Sequence, residues 1–367
     1  MATVTRQLLS GVKVLDLSRV LAGPLCTMML GDLGANVIKI ERPGAGDDTR
    51  SWGPPFDERG ESAYYLSINR NKKSLAADLS DDRDRALIEH LIAGADAVVD
   101  NFRRGALERH GLDPVRIRAR FPRLVWCTIT GFGADSDRPG YDYVVQAERG
   151  WMAITGEPRG QPMKAGVALA DVIAGKDAAI ATLAGLLSSA RTGEGRHVVT
   201  SLAQSATAAL VNVAQNALVT GREAVRWGNA HPNLVPYELF EARDRSIVIA
   251  VGNDAQWRAC AHALGMADMA GDSGLATNAG RVAQRERVVR AVAQRVRART
   301  AGDVAAALDR AGVPCGLVQT VLEALSEAGA SPLTGVAPSV PGTVRYPPPR
   351  LDEHGADIRA RGWDVFP

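Results

Sequence analysis

An α/β protein built on a parallel sheet is what this chain predicts, and three observations carry the expectation. The first 130 residues alternate short apolar runs with helix-patterned stretches. A proline opens the first of those helices and a glycine closes it. From about Pro236 the alternation gives way to two apolar runs around a short polar turn, followed by helices. The spacing predicts a Rossmann-like large domain with a parallel sheet, plus a smaller α+β domain.

In chain order, Val12 to Ser18 reads as the first strand, Gly23 to Leu33 as a helix with Pro24 in its first turn and Gly34 after its end, and Asn36 to Glu41 as the second strand. This is a βαβ unit. Further strands are expected at Leu75–Leu79, Ala97–Phe102 and Leu124–Thr130, with a helix at Asp81–Ala93. Asp171 to Leu187 reads as an Ala-rich helix opened by an aspartate, and Ser201 to Val219 as a second long helix leading away. Leu239–Ala242 and Ile247–Val251 flank Arg243–Ser246 as a hairpin, and helices follow at Asp254–Leu264, Arg285–Arg299 and Asp303–Ala311. Beyond Ala330 prolines and glycines dominate, which suits an extended return over another surface. The expected organisation is residues 1–200 as the N-terminal part of the large domain, 201–225 as a linker helix, 226–330 as the small domain and 331–367 as a return to the large one.

A chain of 367 residues with 46% hydrophobic and 23% charged positions can fill one large core or two, which excludes disorder. Its formal charge of +2 is too small for a protein whose main partner is a polyanion, so no nucleic acid is expected. Cys26, Cys127, Cys260 and Cys315 form no C-x-x-C, and the histidines no H-E-x-x-H; no metal is expected, and the cysteines read as buried reduced thiols. Met1–Ser10 holds no apolar stretch of signal length, and the tract Ala178–Ala190 is too short to span a bilayer. A cytoplasmic protein without a membrane partner is the expectation.

The βαβ start invites a dinucleotide, with Glu41 where a ribose-binding acid would stand. One glycine in Ser18–Pro24, where the pyrophosphate turn needs three, argues against it. Arg19, Lys39, Arg42, Lys72, Lys73, Arg103, Arg104 and Arg109 fall at strand ends and the loops after them, where a parallel sheet gathers ligands; they are either a polyphosphate site or a solvated rim. Asp171 is either the cap of its helix or a nucleophile fixed beside that crevice. His231, in the polar loop Gly228–Asn233, is either structural or part of a site, whereas the six dispersed tryptophans read as packing.

Read as a string, Leu9–Asp16, Leu21–Pro24, Asp32–Glu41, Asn69–Ser74, Asn101–Gly105, Gly140–Asp142 with Gln146, Gly166–Asp171, Gly193–Arg196 and Pro349–His354 resemble the family III CoA transferases, a group that extends to the α-methylacyl-CoA racemases. The likeness runs over nearly the whole chain, dense to about residue 205 and thin after it. It implies that Asp171 is the catalytic carboxylate, which attacks an acyl-CoA thioester to give an anhydride, then carries CoA as an aspartyl thioester, then hands it to an acceptor acid. No cofactor stays bound; CoA and acyl-CoA are substrates. The resemblance also implies CoA contacts at Ala22, Arg42, Ala77, Asp78, Leu79, Asn101, Phe102, Arg109 and Tyr141, substrate contacts at Arg19, Leu21 and His231, and a homodimer of interlocked chains. In formyl-CoA transferase a glycine loop covers the intermediate; the corresponding stretch here, Asn229–Asn233, has no glycine run.

Two departures bear on the reaction. Where formyl-CoA transferase has His and Gln, this chain has Arg19 and Leu21, which argues against oxalate as acceptor; Arg19 suits an acid with a second carboxylate, such as succinate or a C5 relative. Where the racemases pair a His with the Asp, this chain has Tyr141, whose ordinary pKa of about 10 suits a general base poorly. Transfer from an acyl-CoA to a carboxylic acid, with a short dicarboxylate and a succinyl-CoA-type donor as the candidates, is therefore the leading expectation. A 2-methylacyl-CoA racemase or epimerase and a non-catalytic CoA-binding protein of the same fold stay as alternatives.

Overall fold

The computed structural model describes residues 7–367, so Met1–Arg6 of the N-terminal expectation lie outside the described residues. Two compact units divide the chain. One comprises residues up to Met152, Lys164–Arg222 and Leu325–Pro367; the other comprises Ala153–Met163 and Glu223–Ala324.

The larger unit holds a six-stranded parallel sheet: β1 (Lys13–Asp16), β2 (Asn36–Glu41), β3 (Lys72–Ala76), β4 (Ala97–Asp100), β5 (Val125–Thr130) and β6 (His197–Ser201), in the order β3-β2-β1-β4-β5-β6. Among its helices are α1 (Ala22–Asp32), α2 (Asp82–Ala93), α3 (Asp142–Glu148), α4 (Leu169–Thr192), α5 (Leu202–Ala208) and α6 (Val211–Thr220). The fold class is as expected. Gly34 takes φ 113° just past α1, a conformation that only glycine adopts without strain, and the chain turns there directly into β2.

Both faces of the sheet are covered, so strand residues on each face are apolar. Val14, Val37, Val99 and Cys127 point into one core with Leu30 and Ala178; Leu15, Ile38, Val98 and Trp126 point into the other with Leu91 and Ile92. Each fully buried large side chain of this kind contributes roughly 1.5–3 kcal/mol. The chain's last residues join the second core, where Trp363 and Phe366 are buried and Trp363 Nε1 donates to the Leu91 carbonyl at 2.8 Å.

Three sequence expectations are corrected. β3 starts at Lys72, three residues before the expected Leu75, because two lysines at its start hide the apolar pattern. The stretch Ser201–Val219 is not one helix: β6 precedes it, and α5 and α6 are separated at Ala209–Leu210. The apolar tract around Ala178 belongs to a 24-residue helix that is long and apolar enough to cross a membrane by length and composition. Its small residues serve close packing: a Cβ on Gly175 would strike the Ala22 carbonyl of α1, and one on Gly185 would strike the Val125 side chain of β5.

The smaller unit has an antiparallel sheet of β7 (Tyr237–Glu241), β8 (Ser246–Ala250) and β9 (Cys315–Leu317), with Phe240 opposite Ile247 in the expected hairpin. Around it stand α7 (Asp254–Ala263), α8 (Arg285–Arg297) and α9 (Ala301–Arg310). Val288, Val292 and Val296, four residues apart on α8, bury against Trp257 and Leu308, which leaves the arginines of α8 on the other faces. Among the described residues the four cysteines are free thiols; Cys26, Cys127 and Cys260 are buried and Cys315 is half-buried.

Candidate active site

The strand order reverses at β1, which lies between β2 and β4, and a parallel sheet binds ligands outside the carboxyl ends of its strands at such a point. Two cavities open there, of about 330 and 260 Å³. Arg19, Leu21, Ala22, Asn101, Phe102, Tyr141 and Asp171 line the first; Arg19, Arg42, Ala77, Asp78, Leu79 and Phe102 line the second. Arg19 and Phe102 face both, so the cavities adjoin. Arg109 sits exposed on the turn Glu108–His110 and lines neither. His231 belongs to the smaller unit, where its Nδ1 accepts the Asn233 N–H at 3.0 Å and its ring lies 5.1 Å from that of Tyr237.

Asp171 is the third residue of α4, inside its first turn. It does not cap the helix. That role falls to Asp142, whose Oδ1 accepts the N–H of Ala170 at 2.8 Å and of Asp171 at 3.4 Å, while its Oδ2 takes a 2.7 Å bond from Gln146 Nε2. The Asp171 carboxyl therefore stays clear of its own backbone. Burial, and secondarily the charge of Asp142, pushes its pKa up to about 7. The same two carboxylates, together with burial as the main cause, push the Tyr64 phenol up to about 12. Tyr64 packs edge-on against Trp52, with ring centroids 5.1 Å apart.

Arg19 and Arg42 share one counter-ion. Asp48 Oδ2 lies 3.0 Å from Arg19 Nη1 and Asp48 Oδ1 lies 2.7 Å from Arg42 Nη2. Arg103, Arg104 and Arg138 add cationic groups to the first cavity. Two of the expected basic residues do not belong to this set: Lys39 and Lys72 are fully buried and paired with carboxylates, Lys39 with Asp47 at 2.9 Å and Lys72 with Asp16 at 3.0 Å. Lys73 turns to the Val365 carbonyl at 2.9 Å. Glu41, at the edge of the second cavity, is likewise paired, with Arg50 at 2.8 Å.

The floor of the first cavity carries a polar chain that sequence reasoning missed. Asp100 Oδ2 accepts the Thr128 hydroxyl and the Trp126 indole N–H, each at 2.7 Å, and Thr128 Oγ1 lies 3.0 Å from His197 Nε2. Asp100 ends β4, Trp126 and Thr128 lie within β5 and His197 starts β6, and no local motif joins the four. Asp142 had one local signal, its i,i+4 spacing to Gln146 on a helix face. Tyr64 and Trp52 had none. Among the described residues no group of three or more His, Cys, Asp or Glu side chains is placed to hold a metal ion.

Comparison with known proteins bears on this cleft. Residues 9–354 match the family model CoA-transferase family III. The chain is 41% identical to a succinate–glutarate CoA-transferase of Agrobacterium fabrum, over 96% of this chain and 95% of that protein. It is 41% identical to a succinyl-CoA:glutarate CoA-transferase of Mus musculus, over 95% and 85% of the two. The crystal structure of a CAIB/BAIF family protein from Brucella suis matches with a TM-score of 0.84 at 39% identity, covering 97% of this chain and 99% of that one.

Proposed function

The chain belongs to CoA-transferase family III, and we propose that it moves coenzyme A from a succinyl-CoA-type donor to a dicarboxylic acid of about the size of glutarate, with Asp171 as the covalent carrier. The observation that carries this reading is the placement of Asp171: a half-buried carboxyl in the first turn of α4, relieved of capping by Asp142 and facing the cavity that Arg19 also lines. Burial makes the carboxylate a stronger nucleophile than an ordinary aspartate and keeps water from the anhydride it forms.

In the proposed sequence an Asp171 oxygen attacks the thioester carbonyl, the C–S bond breaks, and CoA leaves as thiolate. The thiolate then attacks the aspartyl carbonyl of the anhydride, releasing the donor acid and leaving an aspartyl-CoA thioester. The acceptor carboxylate attacks that thioester, its C–S bond breaks to release CoA thiolate and a second anhydride forms; the thiolate then attacks the acceptor carbonyl of that anhydride, giving the acceptor acyl-CoA and restoring the Asp171 carboxylate. In this reading Arg19 receives the far carboxylate of donor and acceptor alike, because a guanidinium fork binds one bidentately. The names of the relatives from Agrobacterium fabrum and Mus musculus support the pairing of succinyl and glutaryl groups. The second cavity, with Arg42 and Ala77–Leu79, suits the nucleotide end of CoA, and the junction at Phe102 suits its pantetheine arm.

The homodimer belongs to the same proposal. Ile180 and Leu187 on α4 and Leu218 and Val219 on α6 are more than half exposed in the single chain, an apolar surface that a second copy would cover. Light scattering should give twice the chain mass.

The test of the reaction is incubation with succinyl-CoA and glutarate, followed by hydroxylamine trapping and mass spectrometry of the peptide that holds Asp171. The adduct is expected on Asp171, and Asp171→Ala should lose transfer by at least about 10³-fold. Full transfer by that variant, or solvent deuterium entering the α-carbon of an acyl-CoA without any acceptor acid, would defeat the reading.

A further inference from the structure

Three consecutive residues, Ser18, Arg19 and Val20, leave β1 and enter α1 with almost every backbone polar group held by a side chain from elsewhere. Asp16 Oδ1 accepts the Ser18 N–H at 2.9 Å, and buried Lys39 Nζ donates to the Ser18 carbonyl at 2.8 Å. Asn101, at the end of β4, grips Arg19 on both sides: its Oδ1 accepts the Arg19 N–H at 3.0 Å and its Nδ2 donates to the Arg19 carbonyl at 2.6 Å. Asp47 Oδ1 accepts the Val20 N–H at 3.2 Å.

Within this grip Val20 takes φ 70°. A β-branched residue is strongly disfavoured in the left-handed region, and such strain persists only where the surroundings over-determine the backbone. An ordinary loop would relax. Five hydrogen bonds from four side chains of β1, β2, the loop after β2 and the end of β4 hold this one, and the residue they fix between Ser18 and Val20 is the arginine facing both cavities.

We infer that Asn101 and Asp47 are positioning residues, which hold the Val20 turn in its strained shape so that the Arg19 guanidinium is presented rigidly to a substrate carboxylate. The inference rests on the reading of Arg19 given above, and it reassigns the Asn101 side chain from CoA contact to support of its neighbour. Asn101 and Asp47 act through Arg19. They need touch no substrate.

Binding, rather than turnover, tests this apart from the reaction itself. In calorimetry Asn101→Ala should bind glutarate roughly 10-fold more weakly than the natural chain, with butyrate, which lacks the far carboxylate, unaffected. Adding Val20→Gly should restore glutarate binding to within about threefold, because glycine adopts the left-handed shape at no steric cost and needs fewer clamps. A purely structural defect predicts the reverse, since a glycine in a loosened loop loosens it further. Asn101→Asp, which keeps the acceptor for the Arg19 N–H and loses the donor, should fall between and guards against a misfolded alanine variant. Unchanged glutarate binding in Asn101→Ala, an equal loss for butyrate, or a double variant no better than the single one would each overturn the inference. A failure to trap an adduct on Asp171 would strike the reaction mechanism and leave these binding results standing.

Discussion

Asp16 ends β1 and is fully buried, Asp171 lies in the first turn of α4 and is half-buried at a cavity, and the two carboxyls are held at opposite extremes. Burial pushes each upward. At Asp16, Lys72 and Lys39 with the Ser18 and Thr27 hydroxyls overcome that push and bring the carboxyl down to about 2. At Asp171 the charged neighbour is another carboxylate, Asp142, so the group rises to about 7. The difference separates a carboxylate that holds structure from the one the proposed reaction uses: the first has its charge satisfied by fixed partners, the second has been left without them.

Removing the satisfied charge should have the largest effect on the fold. Asp16→Asn leaves Lys72 and Lys39 buried with too little counter-charge, and a cost of about 3–5 kcal/mol in denaturant unfolding at pH 7 is expected. The natural chain should report the same bond through acid. Because the folded-state value of Asp16 is depressed, its contribution is present above the ordinary carboxylate range and is lost as pH falls through about 2, amounting to about 2 kcal/mol. An Asp16→Asn variant as stable as its parent would show that the pairing is dispensable and erase the contrast.

The unsatisfied charge should behave with the opposite sign. The folded-state value of Asp171 is raised, so the stability it contributes is complete below its ordinary value and is lost as pH rises through about 7. Asp171→Asn should therefore match the parent at pH 4 and be more stable at pH 8 by about 1–2 kcal/mol, a figure reduced for the face the side chain keeps in the cavity. A substitution that abolishes transfer while stabilising the fold is the mark of a site under strain for function. Thermal unfolding at the two pH values reads it directly, and destabilisation at pH 8 would contradict it.

The same contrast explains what could be read from the sequence. β2 is found from Asn36 to Glu41 as expected, because its apolar run is bounded by a glycine turn and a charged loop. α1 follows from Pro24 and Gly34. β3 was displaced because Lys72, which pairs with Asp16, puts a charge on a fully buried strand position, and no apolar pattern can include it. β6 was missed because a short edge strand, His197 to Ser201, has only two apolar residues and runs straight into the helix that follows, so it reads as the approach to that helix. Position alone left Asp171 open between cap and nucleophile for a related reason: the first-turn aspartate is visible in the string, whereas the carboxylate that frees it lies on α3, and only the fold brings Asp142 to the Ala170 N–H.

The smallest effect, and the most diagnostic, concerns Asp142 itself. If Asp171 must lose its proton to attack, the transfer rate should rise with pH through a midpoint near 7. Asp142→Asn keeps an oxygen for the Ala170 and Asp171 N–H groups and removes the negative charge, so the helix start should survive while the electrostatic push on Asp171 disappears. Because burial is the larger cause and Asp142 the lesser, the midpoint should move down by less than about one pH unit. A midpoint that stays put would assign the elevation to burial alone. A fall to the ordinary carboxylate range would mean that charge repulsion, rather than withdrawal from water, keeps Asp171 protonated, and Asp16 and Asp171 would then differ only in the sign of their neighbours.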